Sequence, residues 1–149
     1  MIDDILKKVF DSLNVAVVVL DEENQIILFN RMAGELLQQD GVSRVGTSIL
    51  RCHPKRAEPG VLKMINEMKN GKLEKYEGWV NYIGRILYEH IYPIRDAKGN
   101  YLATVVELRD AGERAKYLES IGEFTLPEEH GAGESSPRSP HPEKPVKTA

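Results

Sequence analysis

Cys52 and His53 stand side by side in "SILRCHPKRAEPGVLKMI", and they are the first residues whose types could do chemistry. Cys52 is the single cysteine of the chain and His53 one of four histidines. An adjacent thiol and imidazole can be ligands of a metal or a haem iron, a reactive pair, or two unrelated residues of a turn. A redox thiol would need a depressed pKa, which sequence does not dictate. Met64 and Met68 follow on a helical stripe, and Glu89 interrupts an otherwise apolar strand alternation. Arg51, Lys55 and Arg56 form a small basic cluster, which reads more simply as a solvated rim than as an anion site. The chain carries no Gly-rich phosphate loop, no His-x-Glu or Cys-x-x-Cys spacing, and no helix-turn-helix with a basic recognition face. Binding, rather than catalysis, is the chemistry these residues suggest, and an enzyme is not expected.

The bulk properties agree. A chain of 149 residues has room for one domain. Its formal charge of -3, with both signs interspersed, offers no field to hold nucleic acid or an anionic membrane. One cysteine rules out an internal disulfide and fits a reducing compartment. The longest apolar run, Val15 to Leu20, is too short for a bilayer, and "MIDDILKKVF" lacks the parts of a signal peptide. A cytoplasmic protein is therefore expected. From Pro127 the chain holds five of its eight prolines and almost no large apolar side chain. Such a segment cannot bury enough surface to offset its ordering entropy, so residues 124–149 read as a disordered Pro/Ser/Glu-rich tail, with His130 and His141 solvated in it.

The elements that must position these residues follow from periodicity. Ile2, Ile5, Leu6, Val9, Phe10 and Leu13 recur at spacings of three and four, which predicts an amphipathic flanking helix over 1–13. "VAVVVLD" and "QIILFN" read as strands joined by the turn "DEEN". Asn30 can cap a short helix, "RMAGELLQ", ending before Asp40-Gly41, and "GVSRVGTSILRCHPKRA" reads as a loop. Pro59 suits a first helical turn, Val61, Ile65 and Met68 mark an apolar stripe with Leu62 and Met64 at its margins, and Asn70-Gly71 ends the helix. Three strand candidates follow, "KYEGWVNY", "RILYEHIYPIRD" and "YLATVVELRD", the first two joined by a tight Ile83-Gly84 turn. Asp110 can cap an exit helix over 111–123, with Glu113 completing a capping box. The fold class is α+β, a five-stranded antiparallel sheet with short central helices over its concave side and a core at 14–110.

That order and two stretches within it resemble the PAS domain. "VAVVVLDEENQIILFNRMAGELL" is similar to the family's opening hairpin and helix, and "YPIRDAKGNYLATVVELRDAGE" to its closing hairpin and exit, with Ala103 where the family pattern has a second Gly and Gly112 where Thr is usual. The middle, "LRCHPKRAEPGVLKMINEMKNGK", more narrowly resembles a branch found beside hemerythrin-like domains, and distantly the haem-binding PAS gas sensors. The resemblance implies a concave face that lines a small-molecule pocket and a convex face covered by flanking helices or a second subunit.

Strand alternation sorts the residues between those faces. A two-residue turn at Ile83-Gly84 sets Val80 opposite Leu87, Gly78 opposite Glu89 and Tyr76 opposite Ile91 on one face. Trp79, Asn81, Ile86, Tyr88, His90 and Tyr92 take the other, an aromatic surface large enough to seek cover. The expectation is that Ile2, Ile5, Leu6 and Val9 pack on Trp79, Tyr88, His90 and Tyr92, from the same chain or from the partner in a homodimer. Glu89 either holds a polar group of a ligand or a water, or, the simpler reading, sits at the strand edge in solvent or paired with Arg51 or Arg85.

What the resemblance implies for His53 is a haem axial ligand. Leu62, Ile65, Met68, Leu87 and Ile91 would wrap the porphyrin, and Met64 or Met68 would offer a second ligand. The alternative is a surface turn in which His53 bonds a backbone group and the methionines are core filler. Light-sensing relatives carry a reactive cysteine in Asn-Cys-Arg-Phe-Leu-Gln; "LRCHPK" lacks the following Arg and the aromatic, so flavin photochemistry is not carried over. The expected function is a stand-alone sensory domain that binds a small ligand or cofactor and signals through a dimer or a partner protein. The other reading is a cofactor-free interaction module. No kinase, cyclase or DNA-binding region follows the domain, so output passes through another protein or the chain is a fragment of a longer one.

Overall fold

The computed structural model describes residues 2–53, 55–127 and 129–130. Helix α1 (Ile2–Ser12) leads into the hairpin β1 (Ala16–Leu20) and β2 (Ile26–Phe29). Asp21 builds the turn between them: its carboxylate accepts the Glu23 and Gln25 backbone N–H groups at 2.9 Å each. Asn30 then caps α2 (Arg31–Leu37), as its residue type predicts, with its side-chain oxygen accepting from Ala33 N–H. The same oxygen also accepts from Val17 N–H, and the amide nitrogen donates to the carbonyls of Phe10 and Val15. One side chain, 1 % exposed, thus ties the end of α1, the start of β1 and the start of α2 together.

The segment read as a loop after Asp40 is more ordered than its glycines suggest. Asp40 caps a single turn, α3 (Gly41–Arg44), by accepting from Val42 N–H at 3.0 Å. Two 3-10 turns follow, Ile49–Cys52 and Lys55–Ala57, and the second runs into α4 (Glu58–Lys69) with Pro59 in its first turn. A capping aspartate outweighs the helix-breaking tendency of the glycine after it.

The three long strands β3 (Tyr76–Tyr82), β4 (Arg85–Arg95) and β5 (Tyr101–Asp110) form the expected antiparallel meander. The register is the expected one, with Tyr76 paired to Ile91, Gly78 to Glu89 and Val80 to Leu87. It is set by the Ile83-Gly84 turn, where both residues have positive φ, 55° and 75°. A mirror-image turn of that kind matches the strand twist but is costly for a β-branched residue. Packing of Ile83 against the core offsets the strain. Among the described residues the sheet order is β2-β1-β5-β4-β3, extended by a two-residue strand β6 (Glu129–His130) running parallel to β3. The main core lies on the concave side, where Leu20, Ile26, Leu36, Ile65, Leu87 and Leu108 meet.

Three expectations about the flanks are corrected. The exit helix α5 (Gly112–Ser120) has Ala111 at its cap position, without a side-chain bond. Asp110 still belongs to β5, where its carboxylate accepts from Gly112 N–H at 3.0 Å and faces Arg85 at 3.9 Å. The ordered chain also continues past 123: Phe124 is buried against Trp79, with ring centroids 4.7 Å apart, and residues 129–130 pair with β3. The tail from 131 on, with His141, lies outside the described residues. Finally, α1 does not cover the sheet of its own chain. It rests on the start of α2, and Ile2, Ile5, Leu6 and Val9 stay between 53 and 71 % exposed. The part of the convex face around Trp79 and Ile86 is covered instead by α5 and Phe124, through Ala115 and Leu118, while Tyr88, His90 and Tyr92 stay half-buried.

Candidate functional site

Helix α4 lies over the concave face and is fastened at its C-terminal end by two cations. Lys69 Nζ donates to the Glu22 carbonyl at 2.7 Å and to Asn24 Oδ1 at 3.0 Å. Arg95 donates to the Met68 carbonyl and meets Glu74 at 3.3 Å. Positive charge at this end of a helix complements its dipole as well as its unpaired carbonyls. Beneath the helix is a cavity of about 100 Å³. Its walls are mostly aliphatic, from Val18 and Leu20 on β1, Val61, Met64 and Ile65 on α4, and Val106 and Leu108 on β5.

Of the site residues predicted, His53, Met64, Ile65, Leu87, Glu89 and Ile91 line this cavity. Leu62 and Met68 do not. Leu62 is half-buried on the flank of α4, and Met68 is fully buried one turn further along in a small cluster with Met64, Ile91 and Tyr76. Sequence reading missed Gln39 and Thr104, which also border the cavity. Thr104 was legible from strand alternation, because it shares its face with Val106 and Leu108. Gln39 was not, because its place follows from how α2 ends.

Glu89 is 1 % exposed. The simpler reading, a strand-edge acid in solvent, is therefore overturned, and Arg85 faces Asp110 instead. Beside Gly78, directly across the strand pair from Glu89, the Tyr76 hydroxyl lies 2.7 Å from where a Cβ of residue 78 would stand. Only glycine at 78 leaves that hydroxyl its place. His53 Nδ1 is 3.0 Å from the Ile49 carbonyl. A carbonyl only accepts, so this nitrogen carries a proton and the ring is held in one orientation.

A haem was the cofactor implied by resemblance. The fixed Nδ1–H of His53 is what an iron ligand needs. The space is not: about 100 Å³ falls well short of the roughly 300–1,000 Å³ of pockets for drug-sized ligands, and a porphyrin is no smaller than those. Met68, named as a second ligand, is also turned away from the cavity. The arrangement does not fit a haem.

The convex face carries polar chemistry of another kind. Glu77, His90 and Glu107 stand in register across β3, β4 and β5. His90 Nε2 is 3.6 Å from Glu77, whose other oxygen accepts from the Tyr88 hydroxyl at 3.1 Å. Tyr92 donates to Glu107. Burial first, then the carboxylate's hydrogen bond and charge, pushes each tyrosine from 10.0 up to about 12. Among the described residues no group of three or more His, Cys, Asp or Glu is arranged to hold a metal ion, and no helix is long and apolar enough to cross a membrane.

A meander of three strands, an opening hairpin that pairs back onto the last strand, and short helices over a concave cavity are together a specific architecture. The PAS domain family model matches residues 6–111. The chain belongs to the PAS domain family. Solved structures similar to this PAS domain include a C-terminal domain from Streptococcus mutans, at 18 % identity and TM-score 0.66 over 77 % of this chain and 89 % of that one. The histidine kinase ThkA, solved in complex with the response regulator protein TrrA, is similar at 18 % identity and TM-score 0.62, over 78 % of this chain and 34 % of that one. A PAS domain from Colwellia psychrerythraea is similar at 21 % identity and TM-score 0.57, over 74 % and 97 %. At these identities the likeness is one of fold. No curated protein matches the sequence.

Proposed function

We propose that this PAS domain is a non-catalytic sensory module, placed in the cytoplasm, that binds a compact small molecule beneath α4 and passes its state to another protein surface. The observation that carries the reading is Glu89, a carboxylate buried in a small and mostly aliphatic cavity. A core built only for stability has no use for such a group, because desolvation penalises its charge. A receptor uses it to select a ligand. The occurrence of this fold in a histidine kinase solved with its response regulator supports a place in signal transduction. The proposed kinship to the branch found beside hemerythrin-like domains rests on the "LRCHPKRAEPG" segment.

The surface proposed to transmit the state is α1, with a second copy of this chain as its occupant. Ile2, Leu6 and Val9 of α1 follow the four-three spacing of a two-helix seam, which is self-complementary across a two-fold axis. Ligand occupancy would reach α1 through α2, since Asn30 bonds both helices and Leu37 of α2 borders the cavity.

Protein purified without denaturation, then unfolded and analysed by mass spectrometry, tests the ligand. A compact released molecule that raises the Tm when added back supports the reading. Absence of any released molecule, together with no Tm response to a fragment library, overturns it in favour of a cofactor-free module. A Soret band on haem addition that is lost in His53→Ala would replace the compact ligand with a porphyrin. Light scattering tests the copy: a dimer that becomes a monomer in Leu6→Glu is expected, and a wild-type monomer at high concentration refutes it.

A further inference from the structure

Resting on the proposed contact of α1 with a second copy, we infer that the two helices pair antiparallel, about a two-fold axis between Ile5 and Leu6, and that charge chooses this orientation. The inference comes from the order of residues in "IDDILKKV", residues 2–9. Turned end for end about its centre, this stretch sets Ile2 against Val9 and Ile5 against Leu6, apolar on apolar. The same operation sets the two aspartates against the two lysines. No residue of α1 is buried within its own chain, and residues 2–9 are all exposed, so the whole pattern is presented outward.

Helical geometry decides which charges meet. At about 3.6 residues per turn, Ile2, Ile5, Leu6 and Val9 form one stripe, with Asp3 and Lys7 along one side of it and Asp4 and Lys8 along the other. In a parallel two-fold pair, each side of the stripe faces the opposite side of its partner at the same height. Asp3 then meets the partner's Asp4, and Lys7 the partner's Lys8, like charge on like. In an antiparallel pair each side faces its own counterpart running the other way. Asp3 then meets the partner's Lys7, Asp4 meets the partner's Lys8, and the two-fold axis repeats both pairs. Asp4 also interacts within its own chain, and an exposed carboxylate can accept from more than one cation. Asp11, the remaining charge of α1, lies on the back of the helix, where Arg31 bonds its carbonyl. Opposed helix dipoles favour the same orientation. Two turns of helix are a small contact, so the pair is a weak and reversible one.

The test is disulfide trapping in the full chain carrying Cys52→Ser, so that only introduced cysteines react. Ile5→Cys sits beside the two-fold axis and is expected to cross-link to itself. Ile2→Cys and Val9→Cys should each fail to cross-link alone and should link to one another when mixed. Self-linking of Ile2→Cys and of Val9→Cys, with no preference for the mixed product, makes the helices parallel and overturns the inference while leaving the second copy standing. Sedimentation of chains that keep Cys52, under reducing conditions, tests the charges independently. Lys7→Glu with Lys8→Glu should weaken self-association at least tenfold, as should Asp3→Lys with Asp4→Lys, and an equimolar mixture of the two double variants should recover it. These side chains are exposed, so an unchanged circular dichroism spectrum is expected throughout. Self-association unmoved by either double variant overturns the choice by charge. A wild-type chain that neither cross-links at any of the three positions nor self-associates overturns the second copy as well.

Discussion

The two faces of one sheet treat their acids in opposite ways. On the concave side Glu89 is 1 % exposed, at the wall of a cavity lined mostly by apolar side chains. On the convex side Glu77 and Glu107 are partly exposed and held by tyrosine hydroxyls and the edge of a histidine. Both arrangements grow from the same three strands, and adjacent residues such as Glu89 and His90 fall into different environments because side chains alternate. An acid that helps hold a sheet together is given donors and some water. An acid buried at a cavity wall carries a desolvation cost, which makes sense where a ligand is to be recognised.

The comparison can be broken most forcefully at the core. Leu87→Ala removes a fully buried side chain from the cavity wall and should cost about 2–5 kcal/mol in urea unfolding. A loss below 1 kcal/mol would mean the concave side is not the principal core. Next comes the convex cover. Phe124→Ala should cost about 1–3 kcal/mol and leave ligand binding unchanged, because the ring packs on Trp79 behind the sheet. An unchanged stability would remove the C-terminal segment from the fold.

The smaller effects sharpen the difference in electrostatics. Spectroscopic titration should show a tyrosine component ionising near pH 12, reduced by one equivalent in each of Tyr88→Phe and Tyr92→Phe. Their folded values lie above the ordinary 10.0, so any stability they lend is complete below pH 10 and is lost as pH climbs toward 12. Both tyrosines titrating at their ordinary value would deny the carboxylate contacts. Smallest of all, His90→Ala should change stability by under about 1 kcal/mol, the usual scale of a partly exposed ion pair. A larger loss would make the convex row a structural centre.

Much of this was legible in the residues. The Ile83-Gly84 turn fixed the register, the register fixed parity, and parity placed Leu87, Glu89 and Ile91 together before any coordinates. Asn30 was legible as a cap but not as the four-way junction it forms, since Phe10 and Val15 reach it only after the chain turns back. Phe124 was lost in a tail of low hydrophobicity, where a single aromatic has no periodicity to announce it.

By itself the sequence determined what is local and periodic: strands that alternate, helices that repeat every three or four residues, and turns written in Asp, Asn and Gly. Only the tertiary structure decided which elements cover which faces. That choice put α5 and Phe124 over Trp79, where α1 was expected, and it left a cavity of about 100 Å³. The physical reason is that covering a face is a competition among distant segments for the same apolar surface. Its outcome depends on shape and volume summed over many residues, which no spacing along the chain records.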